Sequence, residues 1–384
     1  MEPVRVTCVA DVDRIGGAER SLVELVSALD GSRFQVSAVV PAGGELSRAL
    51  KRAGAAAAVC PALRRLHRGG SAAARARELL DLVRGSARLA GVVRGQRPHV
   101  LHANGTAAAL FAARAARRLR VPLVWHLRDL VPLGAPGHFL GRRSARLVVP
   151  SRAAAALAAR WTDRAKIARV ASGVDTRPFL AAPPRAAARA ALGLPDGPLL
   201  LGIGQLIPWK GFARLVEAAA LVRARRADAR FALLGDERFA GGAGTRDQLE
   251  RAIRARGLQE AVRLVGHVDD VPLWLAAADA LVHPAFPEPF GRAVVEAMAA
   301  GRPVVCLAGD HGPAEIVRDG VDGVHAPPTA EGLAEAVLGL LADPAGSRAL
   351  GESGRRRATG EFDSRRTARA MEELFADVHG ASAR

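Results

Sequence analysis

Two series of short apolar runs, each run followed by a helical stretch, constrain the fold of this chain more than any other feature. Val4–Ala10, Gln35–Val40, His99–His102, Leu123–His126 and Leu147–Pro150 form the first series. Leu199–Gly204, Phe231–Gly235, Arg263–Gly266, Ala280–His283 and Pro303–Leu307 form the second. Runs of this length read as buried strands, and strands alternating with helices predict doubly wound parallel sheets. Leu22, Leu25, Val26 and Leu29 mark the buried face of a first helix beginning near Ala18. Between the two series, Thr176–Pro198 is rich in proline and glycine and reads as an interdomain linker. The 384 residues suffice for two or three domains.

The stretch from His283 to Glu315, HPAFPEPFGRAVVEAMAAGRPVVCLAGDHGPAE, carries the most chemistry. Pro287 and Pro289 keep Glu288 in a loop, since neither suits a helix interior. From Arg292 the residues Val294, Val295 and Met298 fall at helical spacing, with Gly291 at the mouth of that helix and Glu296 inside it. Gly301 and Pro303 end it. A helix start offers N–H groups and a positive dipole end to a phosphate. Carboxylates at the mouth and within the helix can then accept hydrogen bonds from sugar hydroxyls on either side of that phosphate. The pattern reads as a sugar-nucleotide site.

The string Glu-Pro-Phe-Gly-x4-Glu-Ala-Met-Ala-x-Gly-x-Pro-Val-Val resembles the Glu-x7-Glu signature of retaining glycosyltransferases of family four. The resemblance implies the GT-B fold, two Rossmann-like doubly wound α/β domains facing across a cleft. The expected boundaries are an acceptor domain over residues 1–178 and a nucleotide-sugar donor domain over 179–362. A C-terminal helix over 363–384 would return to the first domain. Glu288 would bind the donor sugar's hydroxyls, and Glu296 the ribose. Lys210 and the N–H groups around Pro289, Phe290 and Gly291 would hold the departing diphosphate.

Further motifs fit the same resemblance. Gly204-Gln-Leu-Ile-Pro-Trp-Lys-Gly211 joins a strand to a helix and is similar to the family's Gly-Arg-Leu-x3-Lys-Gly loop, in which Arg and Lys both hold the diphosphate. Gln205 stands at the Arg position, so it must hydrogen-bond instead, or another cation such as Arg128 must compensate. A compact ammonium at Lys210 is notable in a chain whose other lysines are only Lys51 and Lys166. Ile15-Gly-Gly-Ala-Glu-Arg20 resembles the family's cleft-lining Gly-Gly-Ala-Glu loop. Gly16 and Gly17 would there use positive φ for close approach, with Glu19 capping the helix. His126 ends a strand at the edge where doubly wound sheets bind ligands, and by resemblance lies beneath the transferred sugar. His102, Asn104 and Arg128 are expected on the acceptor side. Gly266-His-Val268 matches the position where backbone meets the donor base, and Ser172-Gly-Val-Asp175 resembles the turn into the linker. Gly16-Gly17 is not a dinucleotide fingerprint. Asp11-Val-Asp13 imitates a metal site of the other glycosyltransferase fold and is assigned to loop structure, so no metal is expected.

Charge divides the chain unevenly. The formal net charge is +17, and all of that excess lies before residue 181. Codon bias toward Arg would act on both halves alike, so the first half is expected to face something anionic. Arg64–Arg97 interleaves nine arginines with leucines and valines, a pattern suited to anionic lipid rather than nucleic acid. Cys8, Cys60 and Cys306 have no motif spacing, and the N-terminus does not read as a signal peptide. A cytoplasmic protein is expected, with peripheral docking on the inner membrane face as the further expectation. The function so read is transfer of a sugar from a UDP- or GDP-linked donor to a hydroxyl of a lipid-linked or polysaccharide acceptor. Alternatives are glycosylation of a soluble small molecule, an inactive sugar-nucleotide-binding subunit, or a UDP-sugar 2-epimerase.

Overall fold

In the computed structural model, which describes residues 2–63, 71–237 and 243–383, the chain divides into two compact units. The first comprises Met1–Gly173 with Ser364–Arg384, and the second Val174–Asp363.

Seven parallel strands build the first unit: β1 (Val4–Val9), β2 (Phe34–Val40), β3 (Ala56–Val59), β4 (Val100–Asn104), β5 (Leu123–His126), β6 (Arg146–Val149) and β7 (Ile167–Arg169). Their order is β3-β2-β1-β4-β5-β6-β7. Six parallel strands build the second: β8 (Leu199–Ile203), β9 (Arg230–Leu234), β10 (Val262–Gly266), β11 (Ala280–His283), β12 (Val304–Leu307) and β13 (Gly323–Ala326). They are ordered β10-β9-β8-β11-β12-β13. The strand order therefore reverses beside β1 in one sheet and beside β8 in the other. Loops leaving the carboxyl ends of β1 and β4, and of β8 and β11, flank those reversal points, where open α/β sheets bind ligands.

Both sheets are covered by helices, which is why their central strands read as unbroken apolar runs. In the first unit Trp125 and Trp161 stack with centroids 6.0 Å apart within one core layer. The helix Ser364–Ala383 closes the other layer, burying Ala368, Met371, Leu374, Phe375 and Val378 against Phe34, Leu22 and Val100. Glu372 accepts the Asp30 N–H at 2.8 Å, and His379 stacks on His99 at 4.4 Å.

Three details differ from the sequence reading. Thr176–Pro198 is not an open linker: Arg177–Leu180 and Arg185–Ala191 are helical, and the latter packs on the helix Val271–Ala277. Ala188 is fully buried there, so the alanines outweigh the neighbouring prolines. Strands β3, β7 and β13 were not foreseen. Finally, Gly16 is extended at φ −110° and Gly17 opens the helix Gly17–Ala28, so neither uses positive φ. An extended N-cap is the ordinary geometry of a helix start.

Candidate active site

In the second unit, the loops after β8 and β11 meet. Pro208–Lys210 forms a single 3-10 turn ended by Gly211, whose φ of 73° places it in the left-handed region. A Cβ there would collide with the Pro284 carbonyl, so the two loops can approach only through glycine. That approach delivers Lys210 to Glu288. The ammonium donates to both carboxylate oxygens, at 2.8 Å to Oε1 and 2.6 Å to Oε2. The Trp209 ring lies 4.5 Å from the same ammonium and is exposed. His283, the buried last residue of β11, stands with Nε2 3.2 Å from Glu288 Oε2.

Glu288 is 7% exposed. Burial alone would raise its carboxyl, but the Lys210 charge and the His283 hydrogen bond outweigh burial and hold it down to about 2. Glu288 thus ionises more readily folded than unfolded. Its stabilising share is complete above its ordinary value of 4.5 and is lost as pH falls from there toward about 2. The stability gap between wild type and Glu288→Gln, measured by urea unfolding, should therefore narrow as pH drops from about 5 to about 3. A gap that stays constant over that range would contradict the pairing.

The Glu288 carbonyl accepts the Gly312 N–H at 2.8 Å. Phe290 is buried behind it against Phe362, with centroids 6.1 Å apart. Gly291, at φ 101°, then turns the chain into the helix Arg292–Ala299, with Val294, Val295 and Met298 fully buried. Glu296 lies inside that helix, 7% exposed, and Arg292 one turn earlier donates to it at 3.4 Å. Glu288 and Glu296 thus hold different cations, Lys210 and Arg292. Gln205 is half-buried just beyond β8, where its backbone carbonyl accepts the Ile207 N–H at 2.9 Å. Gly266 closes β10 at φ 91°, and Val268 follows it, half-buried.

A separate cluster lies at the reversal point of the first unit. Gly16 and Gly17 follow β1, and Glu19, buried, accepts the Gly16 N–H at 3.0 Å and so caps the helix. Asn104 ends β4 and reaches the Ala18 carbonyl at 3.3 Å, tying the two loops together. Arg128 donates to Asn104 at 2.9 Å and to Ser172 at 3.0 Å. His102 Nε2 and His126 Nδ1 lie 3.2 Å apart in full burial. Burial first, then Arg128, pushes His102 down to about 3, and the same causes hold His126 well below its ordinary value. Both imidazoles are therefore neutral, and His126 can accept or share a hydrogen bond but does not carry a charge. His126 and Arg128 line a small cavity with Ser21, Ser172, Gly173 and Thr367. Asp13 holds the first turn of the helix Glu45–Arg52, its carboxylate and backbone carbonyl taking the N–H groups of Ser47 and Leu46.

Sequence reasoning assigned no role to His283. The signal was available, because it is the last residue of a central strand of the second sheet, as His126 is of the first.

Known proteins align with this picture. The profile of Glycosyltransferase Family 4 matches residues 15–177, and that of Glycosyl transferases group 1 matches residues 184–357. The chain is 36% identical to a D-inositol 3-phosphate glycosyltransferase of Kineococcus radiotolerans, over 56% of this chain and 52% of that protein. It is 33% identical to the lipopolysaccharide core biosynthesis glycosyltransferase LpsE of Rhizobium meliloti, over 49% of this chain and 53% of that protein. The chain thus spans about half the length of these curated relatives. Among solved structures, HepE of Anabaena in complex with UDP and glucose shares the fold at a TM-score of 0.84 and 24% identity, covering 97% of this chain and 99% of that one. The two matched profiles, over residues 15–177 and 184–357, identify this chain as a glycosyltransferase of the family-four type, and the fold it shares with HepE is the two-domain GT-B fold.

Proposed function

We propose that this protein moves a sugar from a nucleotide-diphosphate sugar to an acceptor hydroxyl with retention of configuration, the second unit holding the donor and the first the acceptor. The Lys210–Glu288–His283 cluster beside the helix opening at Gly291 carries this reading. The bond from the sugar's anomeric carbon to the diphosphate breaks, and a bond to the acceptor oxygen forms on the same face. The acceptor proton passes to the departing diphosphate oxygen. Lys210 and the opening turn of the helix Arg292–Ala299 oppose the charge that develops on that diphosphate. Glu288, kept ionised by Lys210, faces the sugar and favours positive charge at its anomeric carbon. Glu296 takes the ribose hydroxyls.

UDP and UDP-glucose are bound by HepE, which supports a UDP-linked donor here; GDP-linked sugars belong in the same trial. Incubation with nucleotide sugars and no acceptor is expected to release free sugar slowly. Proton NMR of a transferred product should show the donor's anomeric configuration kept. If no nucleotide sugar is turned over while nucleotides still bind, the protein is a binding subunit. An inverted product would remove the same-face mechanism.

The acceptor we favour is lipid-linked or a polysaccharide, in keeping with the lipopolysaccharide-core relative. No helix among the described residues is long and apolar enough to cross a membrane. The helix Ala72–Gln96 nonetheless exposes Leu79 (60%) and Leu80 (46%) along with Arg77, Arg84 and Arg88. Arg64, Arg65, Leu66 and Arg68, part of the same basic segment, lie outside the described residues. Each Arg near an anionic lipid surface contributes about 1 kcal/mol. Sedimentation with vesicles containing anionic lipid should pellet the protein at low salt, less so as salt rises, and less so for the Arg77→Ser, Arg84→Ser, Arg88→Ser triple variant. Equal recovery in the supernatant with neutral and anionic vesicles would refute the docking and leave sugar transfer untouched.

A further inference from the structure

Two imidazoles meet in the core of the first unit, and one of them, His102, has no part in the chemistry described so far. They meet because β4 and β5 are parallel neighbours, with His102 opposite Val124 and Asn104 opposite His126. His102 Nε2 and His126 Nδ1 face each other at 3.2 Å. The other two ring nitrogens, His102 Nδ1 and His126 Nε2, are buried with no hydrogen-bond partner among the described residues. Burial and Arg128 keep both rings neutral, so each carries a single N–H. Two arrangements then satisfy the bond between them. In one, His102 Nε2–H donates to His126 Nδ1, and the His126 proton sits on Nε2. In the other, His126 Nδ1–H donates to His102 Nε2, and the His102 proton sits on Nδ1.

The surroundings decide between the two. His102 is fully buried, with Cys8 and Val124 beside it in the sheet and the Phe375 ring edge-on at 5.7 Å between centroids. A proton on His102 Nδ1 would be an N–H sealed in that apolar layer. It would forfeit its hydrogen bond to water, a loss proteins accept more rarely than an unused lone pair. His126 differs, because it lines the small cavity with Ser21, Arg128, Ser172 and Thr367. The Ser21 and Thr367 hydroxyls already donate to the Gly17 and Ala171 carbonyls, at 3.0 and 2.8 Å. Toward anything else these two hydroxyls can only accept, which suits an N–H on His126 Nε2 better than a second lone pair.

We infer that His102 fixes the proton of His126 on Nε2, so that His126 serves the reaction as a hydrogen-bond donor and not as a base. The effect on turnover rests on the sugar-transfer reading above; the proton placement rests on the two rings alone. His102 is a positioning residue, acting through the ring beside it, since the bond made by one imidazole nitrogen sets the state of the other. Any oxygen brought to His126 Nε2 must then be an acceptor, and the proton of the attacking hydroxyl has to leave elsewhere.

Long-range proton–nitrogen NMR of protein labelled with ¹⁵N-histidine reads the placement directly, with His126→Asn and His102→Gln assigning the signals. Spectra are taken at about pH 9, well above the ordinary imidazole value of about 6.5. In wild type both rings should carry their proton on Nε2. His102→Glu puts an acceptor where the donor stood, so the His126 proton should move to Nδ1 and turnover should fall about tenfold or more. His102→Gln offers an amide N–H at the same place, so it should hold the proton on His126 Nε2 and keep more turnover than His102→Glu. A wild-type His126 protonated on Nδ1 overturns the inference. So does a His102→Glu protein whose His126 keeps its proton on Nε2, or an equal loss of turnover in the Gln and Glu variants, which would leave His102 a packing residue only. Should His102→Glu fail to fold, the wild-type and His102→Gln spectra still decide the placement. If wild type turns over no nucleotide sugar, the sugar-transfer reading falls, and the spectra, which need no substrate, still confirm or overturn the proton on Nε2.

Discussion

Replacing Lys210 with Met is expected to lower the unfolding free energy by about 3–5 kcal/mol, because Glu288 would remain buried with its charge uncompensated. The ammonium and the carboxylate keep only 14% and 10% of their side-chain surface, so water cannot take the place of the missing partner. Adding Glu288→Gln to Lys210→Met should restore most of that stability, since both charges are then gone. Urea unfolding of the wild type, the two single variants and the double variant measures the coupling directly. If the single and double variants are equally unstable, the pair is not the source of the loss. A second effect follows in binding. Losing one charge-assisted contact to the diphosphate should weaken the nucleotide by roughly 1.5–3 kcal/mol. Lys210→Arg should recover only part of this, because a planar fork cannot occupy the space between Gly204 and Glu288 as an ammonium does.

Glu288→Gln and Glu296→Gln should fail in different ways. On the role proposed for it, Glu288→Gln removes the carboxylate that faces the reacting sugar, and the turnover number should fall about 10²–10³-fold. Affinity for sugar-free UDP should change far less. Glu296→Gln should mainly weaken UDP, since the ribose is its proposed partner, and should leave turnover at saturating donor closer to wild type. Steady-state kinetics combined with UDP titration separates the two. If sugar-free UDP senses Glu288 as strongly as Glu296, their roles are exchanged or shared.

The central strands and the helix Arg292–Ala299 were legible in the sequence because burial on both faces writes itself as apolar runs and helical spacing. Strands β3, β7 and β13 left no such trace. Ala56–Val59 is mostly alanine, Ile167–Arg169 is three residues long, and Gly323–Ala326 includes a glycine and a histidine. All three lie at sheet edges, where one neighbour suffices and side chains are freer to vary. Within the site, Glu288, Lys210 and Gly291 could each be picked out by residue type and spacing. Their mutual arrangement could not, since Lys210 and Glu288 are 78 positions apart and meet only because β8 and β11 are neighbours.

The first unit is interrupted in sequence and the second is not. Met371, Leu374, Phe375 and Val378 seal a core layer that otherwise comes from residues before 174. During synthesis, then, the whole of Val174–Asp363 emerges before the first unit has the helix it needs to cover Phe34 and Val100. The second unit has all its strands in hand once β13 has been made and can settle on its own, whereas the earlier-made residues must wait with an apolar sheet face uncovered. For this chain, order of synthesis and order of completion run in opposite directions, and the interval between them is when a chaperone would have most to hold.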